Sequence, residues 1–166
     1  MSVTNKEFDS LGGFSVDQVS VVDKDRNAKD FNTLEIKNKF YSDSKTKNYI
    51  LRGTNTATLS LDDVGTAIDI ENSTVNFITG HFLASNTSGI VYTGKIESSV
   101  TCNSLGAVSV LSSMLTIIKH DVPIGEAWDI ETFSATNRFS YNVIRTGTTE
   151  TIKWVVSTQV VSIAWA

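Results

Sequence analysis

Three pairs of acidic residues are the groups in this sequence best suited to chemistry. They are Asp62 with Asp63, Asp69 with Glu71, and Asp129 with Glu131. Residues two apart on a strand project from one face, where two carboxylates can bind a hard metal ion or act as general acid and base. Acidic residues are equally ordinary in turns and on the solvated face of a strand, and we interpret all three pairs in that way.

The sequence contains no recognisable nucleophile with activating partners. His120 and Asp121 have the residue types of an oriented imidazole, but neighbours on an extended backbone point to opposite sides. No Gly-x-Ser-x-Gly turn and no phosphate-binding glycine loop is present. Cys102 ends an alternating apolar pattern, so we expect a buried and unreactive thiol. We therefore predict a protein that is not an enzyme and holds no metal and no cofactor.

Charge and hydropathy exclude several classes of partner. The net charge is −4 and the pI about 5.1, which gives no electrostatic support for binding nucleic acid or an anionic membrane. No apolar run of 18 residues is available to span a bilayer, and the first residues lack the apolar segment of a signal peptide. We expect no membrane insertion and synthesis in the cytoplasm.

The secondary structure that would position any functional site is predicted to be β-strand. Val, Ile and Thr number 51 of 166, and β-branched side chains fit a pleated, half-buried surface. Residues 90–102 alternate between apolar and polar types, the period of a strand with one solvated face. Residues 75–84 form another strand-like run, in which Gly80 predicts a bend or bulge. Similar runs recur every 8 to 14 residues between polar turns. This pattern predicts an all-β fold, an antiparallel β-sandwich of jelly-roll-like form.

Charge density divides the chain into two parts. Residues 1–50 contain 16 charged side chains and residues 51–166 contain another 16. Apolar residues are too sparse in the first part to form a core. We therefore predict an extended arm over residues 1–46 for attachment or oligomerisation, and a β-sandwich module over residues 47–166. The candidate apolar anchors of the arm are Phe14, Val16, Val19 and Val21.

Aromatic residues within the predicted strands have two interpretations. Packing in the core or between subunits is the usual role of an aromatic residue in a strand. An exposed aromatic ring can instead stack on the apolar face of a sugar, and Trp128 and Tyr141 are our candidates for such a glycan contact.

Two stretches carry a family resemblance. Residues 12–32, which include Val22-Asp23-Lys24-Asp25-Arg26-Asn27, resemble a spacer phrase of tail-fibre-type proteins of marine tailed bacteriophages. Residues 90–165 look like a β domain that ends many phage virion proteins. The matching patterns are Val108-Ser109-Val110, Trp128-Asp129-Ile130, Tyr141 to Arg145, Thr146-Gly147, and Thr151-Ile152-Lys153-Trp154-Val155.

The resemblance implies a structural protein of a tailed-bacteriophage virion. It implies a fibre or fibre-like appendage, assembled as a homotrimer with other virion proteins as partners and able to contact a host-surface glycan. Only one spacer is present, which favours a short peg, a fibre tip or a protein of the capsid surface. The alternatives are a capsid decoration (cement) protein and a carbohydrate-binding module.

Overall fold

The chain folds entirely as antiparallel β-structure. The computed structural model describes residues 14–16, 19–22, 25, 27, 28, 31 and 33–165. Those residues form eleven strands, every strand pairing is antiparallel, and no helix occurs among them. Consequently, no helix long and apolar enough to cross a membrane is found in the described part of the chain. The all-β, antiparallel prediction is confirmed.

Residues 1–32 form the first of two compact units. Within it, β1 (Phe14–Val16) and β2 (Val19–Val22) pair as a two-stranded hairpin, and Val22 makes an isolated bridge to Ala28. A hairpin of two strands is marginally stable in water when it packs on nothing else.

Residues 33–166 form the second unit, a sandwich of two sheets. Its strands are β3 (Leu34–Lys37), β4 (Ser44–Thr54), β5 (Ile68–Asp69), β6 (Thr74–Asn86), β7 (Val91–Cys102), β8 (Val108–His120), β9 (Ala127–Ala135), β10 (Arg138–Thr146) and β11 (Ile152–Ala164). The larger sheet has the order β3-β4-β11-β6-β7-β8, and the smaller has the order β5-β10-β9.

Alternation along the strands builds the core between the two sheets. In β7, every second residue from Tyr92 to Cys102 is buried, and the residues that alternate with these are half exposed. From the smaller sheet, β9 contributes Trp128 and Ile130 to the core, and β10 contributes a run that includes the buried Phe139. Alternation with a period of two therefore determines which side chains are buried, as predicted from the sequence.

One side of the sandwich is closed by the segment that follows β4. The amide of Arg52 donates to Ser60 O, so this segment pairs with the larger sheet. The amide of Leu59 donates to Tyr141 O, and Val143 N donates to Ala57 O, so it also pairs with β10. Residues 57–61 thus join the two sheets beside β4. On the β8 side, the described residues join the two sheets only at the start of the strand, where Val108 N donates to Thr136 O.

The compact sandwich starts earlier than residue 47, the boundary expected from charge density. Its unit begins at Thr33, and Ile36 of β3 lies opposite Thr46 of β4. Residues 34–37 and 44–46 therefore belong to the larger sheet. Their polar composition reflects a position at the sheet edge, where charged side chains remain in water.

Candidate functional site

Four of the six acidic residues singled out in the sequence make local contacts, namely Asp62, Asp69, Glu71 and Asp129. Asp69 forms an ion pair with Arg138 at 2.9 Å. Asp62 accepts hydrogen bonds from the amides of Val64 and Thr66, which fixes the loop after β4 and lowers the pKa of the carboxyl, chiefly through Thr66. Asp129 accepts from the amide of Ile130. No group of three or more His, Cys, Asp and Glu side chains with metal-binding geometry occurs among the described residues.

Glu71 instead belongs to a charged cluster beside β3 and β4. We define this cluster as Glu35, Lys37, Lys45, Lys47 and Glu71. Lys47 Nζ lies 3.1 Å from Glu35 and 3.0 Å from Glu71, and Lys45 also contacts Glu71. The cluster therefore ties the edge strand β3 to β4 and to the turn before β6.

The ionisation of the charged cluster follows from these contacts. Hydrogen bonds from Lys37 and then Lys47 lower the pKa of Glu35 to about 2. The contact with Lys45 lowers the pKa of Glu71. Burial would lower the pKa of Lys47, but hydrogen bonds to Glu71 and Glu35 outweigh it and the pKa is raised. All three groups are thus held in their charged forms at neutral pH.

His120 and Asp121 point to different partners, as an extended backbone requires. The His120 ring packs edge-on against Tyr92, with centroids 5.3 Å apart, and Asp121 pairs with Lys119 at 2.8 Å. Cys102 is buried at the end of β7, and burial raises the pKa of its thiol. The expected burial of this cysteine is confirmed.

Trp128 and Tyr141, the candidate glycan contacts, lie in the core and present no face to solvent. Their exposed fractions are 3% and 1%. Trp128 packs against Trp154, and the hydroxyl of Tyr141 accepts a hydrogen bond from Thr158. Their strands face the larger sheet, so the aromatic rings fill the sandwich interior. The expectation that they contact a glycan is thereby corrected.

The four candidate arm anchors lie in the first hairpin. Phe14 and Val16 belong to β1, and Val19 and Val21 to β2. Val21 is half buried. The side chains of the other three lie outside the described residues.

Exposed apolar side chains form adjacent pairs on the outer face of the larger sheet, the face turned away from the core. Phe77 of β6 lies opposite Val161 of β11, and the two are 50% and 45% exposed. Val75 lies opposite Ile163 in the same two strands, and both are likewise exposed. Directly opposed residues on one face are in contact range, so the four side chains form one apolar patch.

A second apolar surface lies along β8, the free edge of the larger sheet. Every residue from Leu111 to His120 is exposed, whereas the neighbouring β7 buries alternate residues. The apolar positions of β8 change parity along the strand, from 108 and 110 to 115 and 117. The register shift at Leu111 accounts for this change, because it places all four residues opposite buried residues of β7.

A groove lies beside residues 57–61. It has a volume of about 570 Å³ and is lined by Arg52, Thr54, Ser60, Asp62 and Asp63, among others. Its lining combines these hydrogen-bonding side chains with Gly53 and Leu61, and the groove is open to solvent.

These observations define a two-layer antiparallel β-sandwich with one closed side, one open edge and an apolar outer patch. No family model and no curated protein matches the chain. A solved structure similar to part of it is the tailspike protein of Acinetobacter baumannii phage AM24, with 9% identity and a TM-score of 0.39. The similarity covers 72% of this chain and 26% of the tailspike chain, so this chain spans about a quarter of that protein's length.

Proposed function

We propose that the chain is a structural protein of a tailed-bacteriophage virion, a fibre or fibre-like appendage that assembles as a homo-oligomer. The observation that carries the proposal is the apolar patch of Val75, Phe77, Val161 and Ile163 on the outer face. Contiguous exposed apolar surface on a folded domain marks an interaction site. The sequence resemblance of residues 12–32 and 90–165 to phage virion proteins supplies the class of assembly.

The first unit has the role of an attachment arm in this proposal. Its hairpin, β1 with β2, is too small to be stable without a surface to pack on. The particle or a sister chain supplies that surface, with Phe14, Val16, Val19 and Val21 as apolar anchors. The other virion proteins are therefore its partners, and a host-surface glycan is a further candidate contact of the module.

A truncation tests this function. The sandwich has its own core and begins at Thr33, so a chain lacking residues 1–32 retains every strand of that unit. In phage particles produced with the truncated chain, we expect the protein to be absent from purified virions although circular dichroism shows a folded β-protein. Incorporation at the copy number of the full chain would contradict the arm's role, and absence of the full chain from virions would contradict the function.

Capsid decoration is the nearest alternative. Such a protein would bury the same apolar patch against neighbouring capsid subunits. The copy number in purified particles separates the two functions. A copy number per particle in proportion to the number of capsid subunits indicates decoration. A copy number that matches a few attachment points indicates an appendage.

Saccharide binding is the alternative from another class, and exposed aromatic residues favour it. Tyr41 is 66% exposed and Trp165 is 53% exposed. Both lie at the same end of the larger sheet, because Ala164 N donates to Asp43 O. A glycan array with the full chain tests this function, with Trp165→Ala and Tyr41→Ala as the variants expected to lose binding.

A further inference from the structure

Two cations on the outer face of the larger sheet have no partner within the described part of the chain. Arg52 of β4 and Lys153 of β11 are both exposed, and neither side chain makes a hydrogen bond, ion pair or ring contact there. Every other described lysine and arginine has a carboxylate, carbonyl or ring partner, as Lys95 has in Glu97. These two side chains are therefore the exceptions.

The strand register places the two cations beside each other. Lys153 lies opposite Thr54, and Arg52 lies opposite Val155, two positions further along β11. Diagonal neighbours on adjacent strands are about 7–8 Å apart, a distance that long side chains can span. Like charges so close repel each other. An anion between them would remove the repulsion and accept hydrogen bonds from both.

The groove beside residues 57–61 adds further free groups to this pair. Arg52 lines the groove, whose volume of about 570 Å³ is in the range of ligand pockets. Thr54 and Asp63 also line it, and neither the Thr54 hydroxyl nor the Asp63 carboxylate forms a hydrogen bond with another described residue. The β4 wall therefore offers donors to a ligand, and the opposite loop offers a carboxylate acceptor.

Hydrogen bonds hold the two walls of the groove in place. Arg52 N donates to Ser60 O at 2.8 Å, and Ser60 N donates to Arg52 O at 3.0 Å. Ser60 Oγ donates to Asp62 O, and the carboxylate of Asp62 accepts from the amides of Val64 and Thr66. The groove is thus formed without a ligand, which lowers the entropic cost of binding one.

The mixture of groups selects the chemistry of the ligand. Arg52 and Lys153 repel a metal cation, and Asp62, Asp63 and the net charge of −4 oppose a long polyanion. An apolar ligand would find only Leu61 as an apolar side chain in the lining. A ligand with one anionic group and several hydroxyls matches the set, because a hydroxyl both donates and accepts hydrogen bonds.

We infer that this groove binds a saccharide residue that carries one anionic group. The anion lies between Arg52 and Lys153, and the sugar hydroxyls bond to Asp63 and Thr54. The inference deepens the host-surface contact in the proposed function, on which it rests, by giving the place and the charge of the glycan. The groove lies at the end of β4 and β11 that is opposite to the exposed Trp165.

NMR titration of the isotope-labelled full chain measures the binding. The probes are pairs of an acidic and a neutral saccharide: glucuronic acid with glucose, galacturonic acid with galactose, and sialyllactose with lactose. For at least one pair, we expect saturable shifts of the Arg52 side chain and of amides 52–54, 60–63 and 153. The Kd of the acidic member should be about tenfold lower than that of the neutral member. Acetate, the probe for the anion alone, should bind more weakly than the acidic saccharide.

Single substitutions test the role of each group. Arg52→Gln and Lys153→Gln are each expected to raise the Kd of the acidic saccharide about tenfold. Asp63→Asn should raise the Kd of the saccharide but not that of acetate. The matched control is Lys95→Gln, a lysine of the same face that is paired with Glu97 at 3.0 Å, and it should leave the Kd unchanged. The dispersed amide spectrum of each variant shows that it is folded.

Four outcomes overturn the inference. They are no saturable shift with any acidic saccharide, equal Kd values within every pair, acetate binding as tightly as the saccharide, and binding that Trp165→Ala abolishes but Arg52→Gln leaves intact. Equal binding of acetate would mean a site for an anion alone. Failure here is distinct from failure of the proposed function, which is decided by whether the chain is present in purified virions.

Discussion

The hydroxyl of Tyr141 in β10 lies directly against Gly80 in β6. A Cβ on Gly80 would be 2.5 Å from the hydroxyl oxygen and 2.9 Å from Val156 Cγ1. Thr158 of β11, which is opposite Gly80, donates a hydrogen bond of 3.2 Å to the same oxygen. A phenol side chain of the smaller sheet thus reaches across the sandwich to the one position in β6 that has no side chain.

Gly80→Ala is therefore expected to lower the free energy of unfolding. Alanine would gain about 0.5–1 kcal/mol from backbone entropy in a strand, but overpacking a filled core costs about 1–3 kcal/mol. Urea unfolding measures the difference. The cost should be smaller when Gly80→Ala is made in a Tyr141→Phe background, because the closest atom is then gone. An equal cost in both backgrounds would show that the hydroxyl is not what excludes the side chain.

Acid should weaken the attachment of β3 through the charged cluster. The pKa values of Glu35 and Glu71 are lowered in the folded state, that of Glu35 from 4.5 to about 2. Groups with lowered pKa values stabilise the fold fully above their unfolded value, and this contribution is lost as pH falls through the folded value. We expect the urea midpoint to fall, and hydrogen exchange in β3 to accelerate, as the pH drops from 4.5 towards 2.

Glu71→Gln tests whether the charged cluster causes this pH dependence of stability. The variant keeps the size of the side chain but cannot form the ion pairs with Lys45 and Lys47. Its unfolding free energy should depend less on pH across the same interval. Glu131→Gln on β9, outside the cluster, is the control and should keep the original dependence. Parallel pH profiles for the wild type and Glu71→Gln would contradict the assignment.

Alternation within single strands is sufficient to predict most of the sandwich. The expected strand over residues 90–102 corresponds to β7 (Val91–Cys102), with the predicted apolar face turned inward. The same reasoning fails at Gly80, where it predicts a bend or bulge. The ladders of β6 with β7 and β11 run through Gly80 without a register shift. That glycine is explained by Tyr141, which is 61 positions away in sequence and visible only in three dimensions.

Contacts between distant strands also explain why the exposed residues of the candidate functional surfaces could not be predicted from the sequence. Trp128 and Tyr141 have the residue types of a glycan contact, but which face of a strand is buried depends on the sheet opposite. The exposure of β8 has the same origin. Its sequence has the apolar residues of a covered strand, and the described part of the chain supplies no second layer over residues 111–120.

Replacing Trp128 should destabilise the fold rather than remove a surface contact. The side chain is 3% exposed, and its indole N–H donates to Glu126. Truncating a buried Trp to Ala typically costs about 3–5 kcal/mol. Urea unfolding of Trp128→Ala should show a loss in this range. Phe40→Ala, at a position 82% exposed, should change the free energy by about 0.5 kcal/mol or less. Similar small effects for both would mean that Trp128 is not a core residue.

The thiol of Cys102 should react only when the sandwich opens. It is buried at the end of β7, where burial raises its pKa and disfavours the reactive thiolate. We expect labelling by a disulfide reagent at neutral pH to be slow in buffer and to accelerate with urea in parallel with unfolding. Ser104→Cys adds an exposed thiol two residues away and serves as the internal reference, because it should label at the rate of a free thiol. Equal rates for the two thiols in buffer would place Cys102 at the surface.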